Sequence, residues 1–293
     1  MNFVRTRAAL SLLAAACALL AAGCTIGAEV GPTGNAGDSG NAGDAGDADV
    51  RDVPEPTIAA TPTPRADAPR STPAPEKPVL DGRTVYLDPG HAAVMPDPTP
   101  MVTDGRGGEK PCQVTGTTAN DGWPEHTFNW LMAEEIRPRL EALGATVLVG
   151  RPDDTGTADC IDERARKENA SEADVVVSLH ADGAAEGNRG FHVIAIADPL
   201  PGNDAAGSGA LAANIRDAFV AAGFAPSNYL GDGGIDLRAD LTGLNLSTKP
   251  KALIEFGNMR DSADVAVLGS TDGRARMADA VVDGILRTIG NAD

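Results

Sequence analysis

Val85-Tyr86-Leu87-Asp88-Pro89-Gly90-His91 and Val175-Val176-Val177-Ser178-Leu179-His180 are short apolar runs, each reaching a histidine where the run ends. Runs this apolar suit strands covered on both faces. Three more follow the same pattern: residues 146–149, 191–197 and 252–256. Between them, Phe128, Met132, Ile136, Leu140 and Leu143 recur at helical spacing, with Gly144 as a C-terminal stop. Pro138 lies inside that pattern and predicts a kinked or shortened helix. Leu211, Ile215, Phe219 and Ala222 mark a second helix ending near Gly223, and Met277, Val281, Ile285 and Ile289 mark the last. Strands alternating with helices predict an α/β fold: a twisted, largely parallel central sheet flanked by helices, in one domain over residues 81–293. In such folds sites collect where strands end.

The first eighty residues read differently. Arg5 and Arg7 precede an apolar run over residues 8–22, then Ala21-Ala22-Gly23-Cys24. This is the pattern of a secretory signal over 1–23, and the run falls short of the ~20 residues needed to span a bilayer. Gly23-Cys24 resembles a lipobox, which makes Cys24 the candidate acylation site, with plain secretion as the alternative; Ala21 stands where Leu is commoner. Residues 24–80 repeat Asn-Ala-Gly-Asp at 35–38 and 41–44 and continue into a Pro/Thr/Ala stretch. That composition predicts a disordered tether. The reading is of an exported protein held at the outer face of a membrane or in the wall.

The charge narrows the partners. With 24 Lys+Arg against 42 Asp+Glu, the formal net charge of −18 argues against nucleic acid and against electrostatic binding to anionic headgroups. Contact with a membrane is therefore expected only through a lipid on Cys24, and a monomer is the default. Of the four cysteines, Cys17 leaves with the signal and Cys24 is the lipidation candidate. Cys112 and Cys160 remain in the exported domain. In an oxidising compartment, without CxxC spacing, they most simply form one disulfide, two free thiols being the alternative.

Both histidines at strand ends have carboxylate company. Glu125 opens the helix after Pro124, and Glu255 ends Ala252-Leu253-Ile254-Glu255. Burying a carboxylate costs several kcal/mol unless it is paired. Two imidazoles and one carboxylate are a catalytic zinc set, with a fourth position open to water. A further carboxylate beside that water can serve as general base and then general acid.

Asp88-Pro89-Gly90-His91, then Glu125 at a helix start, then Ser178-Leu179-His180-Ala181, then Ile254-Glu255-Phe256-Gly257-Asn258 resemble the ordered motifs of zinc-dependent N-acetylmuramoyl-L-alanine amidases of the type-3 group. The resemblance covers about residues 84–290, including Arg164, Asn169 and the stretch 264–268. It implies one Zn2+ held by His91, Glu125 and His180, with Glu255 as the catalytic base. It implies a peptidoglycan or muropeptide substrate, cut between N-acetylmuramic acid and the L-alanine of the stem peptide. A zinc peptidase acting within the stem and a non-catalytic wall-binding lipoprotein are the alternatives.

Two departures bear on the site. Ala92-Ala93-Val94 follow the first His where the family usually has glycines, and Glu125 lies 34 positions after His91, longer than in simpler members. The intervening residues 95–122 are expected to fold over the zinc cleft as a lid or specificity loop, pinned by Cys112 and Cys160. His126 points about 100° away from Glu125 on a helix and is left without a role, as is His192. Asp182 is a possible substitute ligand. Asp88 either orients a ligand or caps the Pro-Gly turn. Glu134 and Glu135 are read as a solvated helix face.

Overall fold

Alternation along each strand sorts the domain into two unequal layers. The computed structural model describes residues 77–290; the expectations for the signal over 1–23, for Cys24 and for all but the last residues of the tether lie outside them. In chain order the elements are β1 (Thr84–Pro89), β2 (Met101–Thr103), β3 (Glu109–Pro111), α1 (Glu125–Ala142), β4 (Thr146–Val149), α2 (Ile161–Ala170), β5 (Val175–Asp182), β6 (His192–Ile196), α3 (Ala205–Ala221), β7 (Ile235–Arg238), α4 (Thr242–Asn245), β8 (Lys251–Asn258), α5 (Ser262–Leu268) and α6 (Thr271–Ile289). Six strands form one sheet in the order β4-β1-β5-β8-β6-β7, and β2 pairs with β3 in a separate hairpin. Every pairing in the large sheet is parallel except β6 with β8.

Side chains on a strand alternate between faces. Val85, Leu87, Val175, Val177, Leu179, Ala252, Ile254 and Phe256 bury one face in the main core, with Phe128, Met132, Ile136, Leu211, Phe219 and Val281 from α1, α3 and α6. The other face carries the residues between them. Tyr86 and Val176 form a small cluster there, and Ile194, Ile196 and Leu244 another. Asp88, Ser178, His180, Lys251 and Glu255 belong to this thinner face, because Asp88 pairs with Ser178, and His180 with Glu255.

Pro138 does not break its helix: α1 runs on through Leu140 to Ala142. A proline removes one amide donor and crowds the preceding turn, at a cost of about 3 kcal/mol. The fully buried stripe of Phe128, Met132, Ile136 and Leu140 holds the helix together across it. The helix stops where expected, with the Gly144 N–H returned to the Glu141 carbonyl at 3.0 Å. Packing also begins one residue before 81: Leu80 is fully buried, and its N–H donates to Leu143 O at 2.9 Å. A lone Leu behind a Pro-rich stretch carries no periodic signal.

Candidate active site

The three sequence-predicted ligands converge. One donor atom each from His91, Glu125 and His180 lie within 4.8 Å of one another, at the C-terminal ends of β1 and β5 and the N-terminus of α1. His91 Nε2 is 3.2 Å from Glu125 Oε2, and His180 Nδ1 is 3.0 Å from Glu125 Oε1. The two imidazoles meet edge to face, with centroids 4.8 Å apart.

Each of these three side chains is fixed from behind. The turn after β1 leaves His91 at φ 60°, and its Nδ1 lies 2.8 Å from the carbonyl of Val114. A carbonyl can only accept, so Nδ1 carries the proton and Nε2 presents its lone pair to the cleft. Glu125 Oε2 accepts the Thr117 N–H at 2.8 Å, Oε1 accepts the Ala181 N–H at 3.2 Å, and the Glu125 N–H donates to Thr117 O at 3.0 Å. Two glycines leave room for the cage. A Cβ on Gly90 would fall 2.1 Å from His180 Cε1, and one on Gly116 would fall 2.5 Å from Glu125 Oε2.

Burial raises the Glu125 carboxyl, but hydrogen bonds and charge from His180 and His91 outweigh it and hold the group well below the usual carboxylate range. Burial pushes the His180 imidazole down, against the pull of Glu125. Both directions favour the deprotonated donors that a divalent metal requires. A His/His/Glu set converging on one point fits zinc.

Glu255 completes the cleft. In the sheet it stands opposite His180 on one side and opposite His192 on the other. Its Oε2 is buried with no hydrogen-bond partner among the described residues. Burial first, then the charges of Glu125 and Asp182, push its pKa well above the ordinary value, with Arg238 opposing. A buried carboxylate oxygen without a donor is costly and fits a group that meets its partner only when substrate and water arrive. The cleft, about 350 Å³, is lined by His91, Glu125, His180, Asp182, Glu255 and Arg260 among others.

The remaining candidates fall outside the ligand set. Asp182 lines the cleft, but its Oδ2 accepts the Tyr229 hydroxyl at 2.8 Å. Asp88 hydrogen-bonds neither ligand: it accepts Arg164 Nε at 2.8 Å and Ser178 Oγ at 2.9 Å, with Lys251 Nζ at 3.7 Å. Lys251 in turn is paired with buried Glu168 at 2.7 Å. Asp88 thus belongs to a buried ion cluster below the site and neither orients a ligand ring nor caps the turn, because its side chain points to the thinner face where Arg164 waits. His126 turns away to Asp154, 2.7 Å from Oδ1. Glu134 and Glu135 pair with Arg137 and Arg139 on the outer face of α1.

Cys112 and Cys160 form a disulfide with Cα atoms 4.4 Å apart. It joins the loop after β3 to the start of α2. Residues 95–122 build walls: Gly116 and Thr117 line the cleft of His91, Glu125 and His180. Lys110, Pro111, Gln113 and Val114 line a neighbouring cavity of about 260 Å³ that shares His91 and His180. Sequence reasoning missed Val114 and Thr117, which act through backbone atoms and leave no side-chain signal. It also left His192 without a place, although that residue is 1% exposed, carries an Nδ1 without a partner among the described residues and faces Glu255 across the strand pair.

Comparison with known proteins gives a consistent picture. The family model described as N-acetylmuramoyl-L-alanine amidase matches residues 85–287. An N-acetylmuramoyl-L-alanine amidase of Mycobacterium tuberculosis is 41% identical over 229 residues, 78% of this chain and 93% of the relative. The crystal structure of an N-acetylmuramyl-L-alanine amidase from Mycobacterium smegmatis superposes with a TM-score of 0.70 at 40% identity, covering 72% of this chain and 98% of the other. The apo form of the enzyme from Mycobacterium abscessus gives 0.69 at 44% identity, covering 71% and 98%.

Proposed function

The chain belongs to the N-acetylmuramoyl-L-alanine amidase family, and from that premise we propose that it is a zinc-dependent peptidoglycan hydrolase that frees the stem peptide from N-acetylmuramic acid. The observation that carries the reading is Glu255: a buried, unpartnered carboxylate oxygen opposite His180, in a cleft shared with His91 and Glu125. Neutral His91 and His180 and ionised Glu125 would hold one zinc ion. Bound there, zinc supplies Lewis acidity toward the scissile carbonyl and acidifies water toward a pKa of about 7. Glu255 takes the proton of the attacking water and returns it to the departing amine of L-alanine. The raised pKa of Glu255 suits the first transfer, since a more basic carboxylate takes up the water proton more readily.

In the same reading residues 1–23 are a signal, Cys24 is acylated and residues 24–80 tether the catalytic domain to the outer face of the cell membrane. The support is the sequence pattern alone, and radiolabelled-palmitate incorporation lost in Cys24→Ala tests it. No helix among the described residues is long and apolar enough to cross a membrane. The protein works as a monomer on the wall.

Incubation with a defined muramyl-peptide, with and without a chelator, tests the chemistry by mass spectrometry. The expected product is an intact stem peptide with a new L-alanine amine, lost on chelation and restored by zinc. Cleavage inside the stem identifies a peptidase instead. Binding without turnover identifies a wall-binding protein.

A further inference from the structure

The cleft around the ligands is strongly acidic, with Glu125, Asp182 and Glu255 in its walls, and Arg260 is the cation among its lining residues. Arginine is otherwise in demand in a chain with 24 basic against 42 acidic residues. Arg164 is taken by Asp88, Arg151 by Asp154 and Arg238 by Asp240. The Arg260 guanidinium, by contrast, makes no hydrogen bond and no ion pair among the described residues.

Its backbone is nevertheless firmly seated. The Arg260 N–H donates to Asn258 Oδ1 at 2.9 Å, and its carbonyl accepts Asn120 Nδ2 at 3.3 Å. Met259, just before it, is fully buried and donates its N–H to Asp182 O at 2.8 Å. Asn258 is fully buried and is held by Asn188 O at 2.6 Å. An exposed guanidinium on a rigid base, free of partners and facing a reacting centre, is built to meet an anion from outside.

On the amidase reading above, on which this inference rests, the anion follows from the substrate. The carboxyl of the lactyl group is consumed in the scissile amide, and the sugar rings are neutral. The second residue of the stem is a glutamate joined through its side-chain carboxyl, so its α-carboxylate is free and lies one residue beyond the L-alanine. That carboxylate is blocked as a carboxamide in some walls. We propose that Arg260 is a specificity-determining residue: it binds the carboxylate of the second stem residue and disfavours the amidated form.

The test uses two substrates differing in one group, N-acetylmuramyl-L-alanyl-D-isoglutamate and its D-isoglutamine counterpart. The zinc-loaded full-length protein and its Arg260→Gln and Arg260→Lys variants are assayed on both. The wild type is expected to favour the free acid about tenfold in kcat/KM, the lower range for a charge-assisted contact at a partly hydrated site. Arg260→Gln should lower the free acid to the rate of the carboxamide and leave the carboxamide within about twofold. Arg260→Lys should restore part of the preference, keeping charge but losing the planar fork. Zinc content and Tm should not differ among the three. Equal wild-type rates on both substrates would overturn the proposal while leaving the amidase reading intact, as would an Arg260→Gln loss of equal size on both. Hydrolysis of neither substrate by zinc-loaded wild type would overturn the amidase reading itself, and the proposal with it.

Discussion

The ring of His91 is held from outside the cleft by Val114, whose carbonyl oxygen lies 2.8 Å from Nδ1. Val114 follows Cys112 by two residues, and Thr117, three further on, bonds Glu125 through both its N–H and its carbonyl. One short loop therefore orients two of the three proposed ligands, and the disulfide ties that loop to α2. The Cys112→Ser/Cys160→Ser double variant should bind zinc roughly tenfold more weakly, the usual scale for loss of a group orienting a ligand. Competition against a chromophoric chelator measures this. Denaturant unfolding should show a loss of about 3–4 kcal/mol from opening the covalent loop. Unchanged zinc affinity with the stability loss intact would assign the bridge to stability alone.

Gly90→Ala tests the cage from the opposite side. The added methyl would sit 2.1 Å from Cε1 and 2.3 Å from Nε2 of His180. The Gly90 N–H is tied to Leu179 O at 2.9 Å, so the backbone resists moving and the ring must give way. Zinc stoichiometry by atomic absorption should fall well below one per chain, with a stability cost of about 1–3 kcal/mol from overpacking. Full zinc occupancy in Gly90→Ala would mean that His180 can rotate and still bind.

How far these features were legible in the sequence depends on what each residue uses. The strands running into His91, His180 and Glu255 announce themselves because unbroken apolar runs report burial on both faces. Helix α2 does not: in Ile161–Ala170 the buried residues are Arg164, Ala165 and Glu168, so its inward face is charged and no apolar period exists. Edge strand β7 is four residues long, with Leu237 largely exposed. His192 stands beside Glu255 only by virtue of the antiparallel register of β6 against β8, which one strand read alone does not contain.

The buried ion cluster makes stability depend on pH. Burial raises the Asp88 carboxyl, but Arg164, Lys251 and the Ser178 hydroxyl outweigh it and hold the group well below the ordinary carboxylate range. A depressed folded pKa gives stabilisation that is full above the unfolded value, about 4, and lost as pH falls through the folded one. Unfolding free energy should therefore decline below about pH 4, and Asp88→Asn should flatten that slope. At neutral pH the same variant should lose about 3–5 kcal/mol, because the buried Arg164 guanidinium loses its carboxylate partner. Glu168, pushed up to about 7 by burial despite Lys251, acts in the opposite sense between 4.5 and that value. The comparison of slopes therefore belongs below pH 4. Superimposable slopes would remove Asp88 as their source.

Glu255→Gln separates chemistry from metal binding. The amide is nearly isosteric, and His91, Glu125 and His180 are the donors that cluster, so zinc stoichiometry should stay at one per chain. Turnover should fall by about 10²–10⁴, the usual contribution of a positioned general base. The variant should also melt no lower than the wild type, and in zinc-stripped protein higher. Burial and the charges of Glu125 and Asp182 disfavour the carboxylate at this position, and a neutral side chain escapes both penalties. Three readouts thus bear on one residue. Loss of zinc along with activity would place Glu255 among the ligands. Retained activity would move the proton transfers elsewhere, and His192, across the strand pair with its unpartnered Nδ1, is the group within the same row of the sheet that could take them.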